Sequence, residues 1–281
     1  MKKLIALLAM FAPLAMAQTH KAPPPPKTPR LYIFDCGTIN ATDASGYRLT
    51  KEEVATTKMS MECFLIAHPK GNLMWDVGAI PDSSFPPGGG PGTLRNGVAT
   101  KTLTSQLAEA GYSPADINFL ALSHYHWDHT ANANDFASAT WIVEKKDHDA
   151  MFTDPPPTRA TKPEYYSALR NSKTILLDGK DYDVFGDGTV VLKFAPGHTE
   201  GHQVLFLKLK KTGPIVLSGD LYHYPQERTL GLVPKGDLNR DETAASRASL
   251  EEFMKKTGAK LWIQHDYTAF TALKKSPEFY Q

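Results

Sequence analysis

The sequence predicts a layered α/β domain. Short apolar runs of strand length recur along the chain, bounded mostly by Gly, Pro, Asp or Lys. Segments with helical spacing are fewer and lie between them, which favours strands layered with helices over an all-β sandwich. A length of 281 residues, 41% apolar and 22% charged, is ample for a buried core and too polar for a polytopic membrane protein. Lys+Arg 31 against Asp+Glu 30 leaves a formal charge of +1, with no basic block, so no nucleic-acid partner is expected. Two cysteines exclude a disulfide scaffold or a Cys-rich zinc module.

Taken in order, the chain opens with Lys2 and Lys3, an apolar run from Leu4 to Leu14, and Ala15-Met16-Ala17. This pattern predicts a signal peptide over residues 1–17, cut after Ala17, and an exported, periplasmic or secreted protein. The run is shorter than the ~20 residues of a membrane span, and Gln18 is not the Cys of a lipoprotein, so no membrane anchor should remain. Residues 18–30, with Pro23 to Pro26 flanked by Lys21 and Lys27, read as a Pro-rich spacer with no core to join. The domain proper is expected over residues 31–281.

Within it, strand-like runs fall at Leu31–Phe34, Cys63–Ala67, Leu73–Trp75, Ile117–Leu122, Thr140–Val143, Val190–Phe194, Val204–Leu207, Ile215–Leu217 and Leu261–Ile263. One helix carries Leu103, Leu107 and Ala110 and stops at Gly111. A second is capped by Asp241, aligns Leu250, Phe253 and Met254, and ends at Gly258 after Lys255 and Lys256. Pro/Gly-rich segments 81–91 and 154–163 are loops, either functional or plain excursions. Cys36 and Cys63 lie on the first two strands; pairing and two separate buried thiols both remain open.

Chemistry concentrates at Ser123-His124-Tyr125-His126-Trp127-Asp128-His129, directly after the Ile117–Leu122 run. In extended backbone, His124 and His126 project to one side, and Asp128 and His129 follow once the chain turns. Three imidazoles and a carboxylate so close together are a zinc-type donor set. Further donors stand at other strand ends: His198 in Pro196-Gly197-His198, Asp220 in Ser218-Gly219-Asp220, and His265 after Gln264. His202 and Asp76 read as groups that orient ligands rather than bind metal. His20, His68 and His148 read as surface or strand-end residues.

The order H-x-H-x-D-H, G-H-T-x-G-H, G-D and a late His resembles the metallo-β-lactamase superfamily, from Leu31 to the C-terminus. Trp75-Asp76-Val77-Gly78 is similar to that family's early strand end. The resemblance implies an αββα sandwich, two mixed sheets packed face to face with outer helices. It implies two divalent metal ions, zinc first among them. His124, His126 and His198 would hold one, Asp128, His129 and His265 the other, and Asp220 would bridge them. Within the superfamily the chain most resembles N-acyl homoserine lactonases, which implies a lactone or ester substrate opened by a hydroxide held between the metals. Those enzymes usually carry Tyr where this chain has His223. His223 is therefore expected to donate a hydrogen bond to the substrate, with Asp128 and Asp220 as the other catalytic groups. Phe85, Trp127 and Tyr222 are candidate pocket residues, and Ala131 replaces a common Gly. Arylesterase, phosphotriesterase and mononuclear iron persulfide dioxygenase activities are the rival readings, and a homodimer is compatible with all of them.

Overall fold

In the computed structural model, which describes residues 20–160 and 162–281, period-2 alternation sorts apolar side chains onto two packed sheets. The expected signal peptide lies outside the described residues. The first sheet begins with β1 (Arg30–Ile39), β2 (Met59–His68), β3 (Gly71–Trp75), β4 (Gly92–Leu94) and β5 (Gly97–Ala99). It continues with β6 (Phe119–Ala121), β7 (Thr140–Glu144) and β8 (Thr174–Leu177). The second sheet holds β9 (Tyr182–Asp183), β10 (Val190–Phe194), β11 (Gln203–Leu209), β12 (Gly213–Leu217) and β13 (Lys260–Trp262). A last strand, β14 (Phe279–Tyr280), returns to pair with β1. The orders are β4-β5-β1-β2-β3-β6-β7-β8 and β13-β12-β11-β10-β9. Pairs β3·β6, β6·β7, β7·β8 and β12·β13 are parallel and the rest antiparallel, so both sheets are mixed.

Alternate residues explain the layering. Leu31, Ile33, Phe64, Ile66 and Trp75 face inward against Leu192, Leu205, Leu207, Ile215 and Leu217 of the opposite sheet. Their neighbours Tyr32, Phe34, Leu65 and Met74 point outward, under Leu103 and Leu107 of helix α1 (Leu103–Glu109). Short helices α2 (Trp127–Thr130), α3 (Lys145–Met151) and α4 (Pro225–Leu230) occupy connections. Val204, Phe206 and Val216 cover the far face of the second sheet against Leu250 and Met254 of α5 (Arg240–Thr257), and α6 (Tyr267–Ala272) follows β13. This is the αββα order. Full burial of each such aliphatic side chain contributes roughly 1.5–3 kcal/mol. β2 is buried at all ten residues because both of its faces are covered.

Two expectations change. The cap of α5 is Asn239, whose Oδ1 accepts the N–H groups of Asp241 and Glu242 at 3.2 Å each. Asp241 sits inside the first turn, where its charge still complements the helix dipole. The Pro-rich leader does join the domain: Pro26 and Pro29 are buried, and His20 Nε2 lies 2.6 Å from Asp116 Oδ2. His68 is a strand-end residue, as expected: it closes β2, buried and stacked 4.0 Å from the Phe185 ring.

Cys36 and Cys63 are disulfide-bonded across the adjacent strands β1 and β2, with Cα atoms 5.8 Å apart. The turn at Asp82 has a clear local role, since its carboxylate accepts the N–H groups of Leu103 and Thr104 at 2.7 and 2.9 Å and anchors the start of α1. Among the described residues no helix is long and apolar enough to cross a membrane.

Candidate metal centre

Strands β6, β10, β12 and β13 deliver their following residues to one place. His124, His126, His198 and Asp220 form one group of potential ligands, and Asp128, His129, His265 and Asp220 form another. In the first group, His126 Nδ1 lies 2.8 Å from His124 Nε2 and 2.9 Å from His198 Nε2. Asp220 belongs to both groups. Its Oδ2 is 3.1 Å from His198 Nε2 and 3.5 Å from His124 Nε2. Its Oδ1 is 2.9 Å from His129 Nε2 and 2.8 Å from His265 Nε2. Asp128 Oδ2 stands 3.9 Å from both of those imidazoles. The seven expected ligands are thus brought together, all of them buried.

Backbone geometry explains why glycine precedes two of them. Gly197 has φ +129°, and a Cβ there would lie 2.2 Å from the Thr243 nitrogen. Gly219 has φ +49°, and a Cβ there would meet His202 Nε2 at 2.7 Å. Only glycine tolerates both the torsion and the contact, so the turns that aim His198 and Asp220 depend on it.

The outward nitrogens of three of the imidazoles are engaged. His198 Nδ1 is 2.8 Å from Asp237 Oδ1, His129 Nδ1 is 2.8 Å from Asp76 Oδ2, and His265 Nδ1 is 2.9 Å from the Ser60 carbonyl. Those acceptors turn Nε2 of each ring inward, as the nitrogen a metal would take. At His129 burial is outweighed by the charges of Asp220, Asp76 and Asp128, which hold the ring well above the usual histidine range. Burial and neighbouring imidazoles hold His124 and His126 well below the usual histidine range, against the pull of Asp220 at His124. At Asp220 burial favours protonation, but His265, His129 and His124 outweigh it and keep the carboxyl well below the usual range. His129 Nε2 is buried without a partner in hydrogen-bond geometry. Convergent ring nitrogens, a carboxylate shared between them and an orphaned nitrogen are what a divalent cation in each group would satisfy, and borderline N/O donors suit zinc.

Asp76 stands against His129, where an orienting group is expected. It also accepts the Ser123 N–H at 2.6 Å and the Gln264 side chain at 2.9 Å. Gln264 in turn accepts from Trp75 Nε1 and from the Gly219 N–H, tying two strand ends together. His202 is buried beside the first group and holds the Asp220 backbone.

His223 reaches the centre with both ring nitrogens facing carboxylates. Its Nε2 is 3.2 Å from Asp220 Oδ2, and its buried Nδ1 is 3.4 Å from Glu227 Oε1. Burial opposes the imidazolium, but Asp220 and Glu227 push the ring up to about 10. Tyr222 does not line the site. It is extended, so its side chain points opposite to that of His223 and packs under α5 against Arg247, 4.2 Å from ring centre to guanidinium. Trp127 and Phe85 meet instead in an apolar cluster with Ile80 and Leu94, to the side of the ligands. Asp237, Gln264 and Ser60 escaped the sequence reading. Gln264 adjoins a ligand, but nothing in the local pattern marks Asp237 or Ser60.

Two packed mixed sheets, flanking helices and a twin His/Asp cluster at the strand ends define a metallohydrolase architecture. Residues 62–265 match the metallo-β-lactamase superfamily, and the chain belongs to it as a metal-dependent hydrolase. N-acyl homoserine lactonase AttM of Rhizobium radiobacter is 30% identical over 272 residues, covering 89% of this chain and 98% of the relative. A solved quorum-quenching N-acyl homoserine lactone lactonase shares the fold with a TM-score of 0.74 at 23% identity, over 89% of this chain and 97% of that one. The dizinc quorum-quenching lactonase AidC, solved with N-hexanoyl-L-homoserine as product, gives 0.63 at 20% identity, over 90% and 94% of the two chains.

Proposed function

We propose that this hydrolase opens the ring of an N-acyl homoserine lactone or a closely similar lactone, using two divalent metal ions, zinc by preference. The observation that carries the reading is the split of Asp220, one carboxylate oxygen facing each histidine group. When bound, such a metal pair supplies Lewis acidity and a water acidified to a pKa of about 7. The protein's part is to hold both positions rigidly through the orienting contacts of Asp76, Asp237 and Ser60. Asp128 keeps 11% of its side chain exposed where Asp220 keeps 3%. It is therefore the carboxylate placed to pass a proton between the centre and solvent. The lactonases among the relatives support the substrate class.

Export to the periplasm or medium belongs to the same proposal. It is supported by the N-terminal pattern and by the Cys36–Cys63 disulfide, which suits an oxidising compartment.

A hydrolysis screen with metal-replete protein tests the reading, using acyl-homoserine lactones, aryl esters, organophosphate triesters and a cephalosporin. Preference for the lactones, with close to two zinc-type ions per chain by elemental analysis, is expected. A marked preference for esters or triesters overturns the substrate, and one iron per fully active chain overturns the dinuclear centre.

A further inference from the structure

The lactone chemistry calls for a free hydrogen-bond donor at the substrate oxygen, and position 223 does not present one. Both nitrogens of His223 are directed at carboxylates, Asp220 on one side and Glu227 on the other. The ring also lies parallel to that of His265, 5.4 Å away. His223 braces Asp220.

A phenol stands over the same spot. Tyr47 closes a short 3-10 turn, Ser45–Tyr47, between β1 and β2. Its ring centre is 4.6 Å from that of His223, and its edge meets the Tyr224 ring at 5.1 Å. With His198, His223, Arg159 and Asp237 it lines a cavity of about 130 Å³ beside the first ligand group. Its hydroxyl has no hydrogen-bond partner among the described residues. Two other buried phenols are satisfied: Tyr166 donates to the Met151 carbonyl at 2.7 Å, and Tyr224 donates to the Thr57 carbonyl at 3.0 Å. Burial, together with the charges of Asp220 and Asp128, holds the Tyr47 phenol well above its ordinary range, so it keeps its proton. A protonated, unpartnered hydroxyl beside a metal centre is a donor waiting for an acceptor.

We infer that Tyr47 is a catalytic residue that donates its phenol hydrogen to the carbonyl or ring oxygen of the bound ester, a duty moved here from position 223. The assignment rests on the lactone reading for the ring, though any ester carbonyl in the cavity would meet the same donor.

Tyr47→Phe tests it, because the substitution removes only the hydroxyl and leaves the ring on His223. A donor aimed at developing negative charge is worth roughly 10²–10³ in turnover. The variant is expected to lose kcat on that scale, with metal content and melting temperature unchanged. It should also bind the ring-opened product about tenfold more weakly by calorimetry, as one charge-assisted hydrogen bond predicts. Undiminished kcat in a metal-replete variant overturns the inference, as does a loss that follows lost metal. If the unaltered enzyme hydrolyses aryl esters but not lactones, the substrate reading fails by itself. Tyr47→Phe is then judged on the ester, with the same expected loss.

Discussion

His202 Nε2 accepts the backbone N–H of Asp220 at 2.9 Å, while its Nδ1 donates to the Ala195 carbonyl at the same distance. Burial pushes this imidazole down to about 3, so one nitrogen accepts and the other donates. The second histidine of G-H-T-x-G-H thus binds the end of β12 to the end of β10. Two ligands from separate strands, His198 and Asp220, owe their relative placement to it.

Asp220→Ala should remove the shared ligand of both groups and leave a protein with little metal and little turnover. His202→Ala should keep the ligands but loosen them, costing about 10–100-fold in metal affinity or activity. Turnover and metal content measured on both variants decide the matter. Equal turnover with full metal would contradict the place given to Asp220.

Asp237→Asn and Asp76→Asn should act on different ions. Asp237 orients His198 in the first group, and Asp76 orients His129 in the second. Each loss should weaken one site by about 10–100-fold while sparing the other. Competition titration with a chelator should show one weakened step out of two in each variant. A variant that weakens both steps equally would argue against two separable sites.

The Cys36–Cys63 bond closes a sequence separation of 27 residues. A loop of that size restricts the unfolded chain enough to stabilise the fold by roughly 2–4 kcal/mol. The double variant Cys36→Ala/Cys63→Ala should melt at lower temperature than the oxidised protein, and a reductant should have no further effect on it. An unchanged melting temperature in the variant would show that the bond adds nothing. The ligands lie elsewhere in the fold, so metal content should be retained.

What was legible in the sequence was local. The seven ligands announced themselves because imidazoles and carboxylates cluster in His124–His129 and recur just after apolar runs, each with a turn-forming glycine or a strand end beside it. Strands such as β10 were visible as short, mostly apolar runs between breakers. Short edge strands such as β4, β9 and β14 were not, because two or three residues carry no periodicity to read.

The tertiary structure alone decided whatever depended on distant partners. Asp237 reaches His198 across 39 positions, and Ser60 reaches His265 across 205, with nothing in either neighbourhood to signal it. Whether Cys36 and Cys63 paired depended on the register of β1 against β2. The direction of Tyr222 and His223 was decided by which of the two neighbours faced α5 and which faced Asp220, a choice that pattern alone leaves open. Donor sets are written in residue type and spacing, both of which are local. The groups that orient them, and the phenol poised above them, are brought in by sheet packing, which the chain specifies only as a whole.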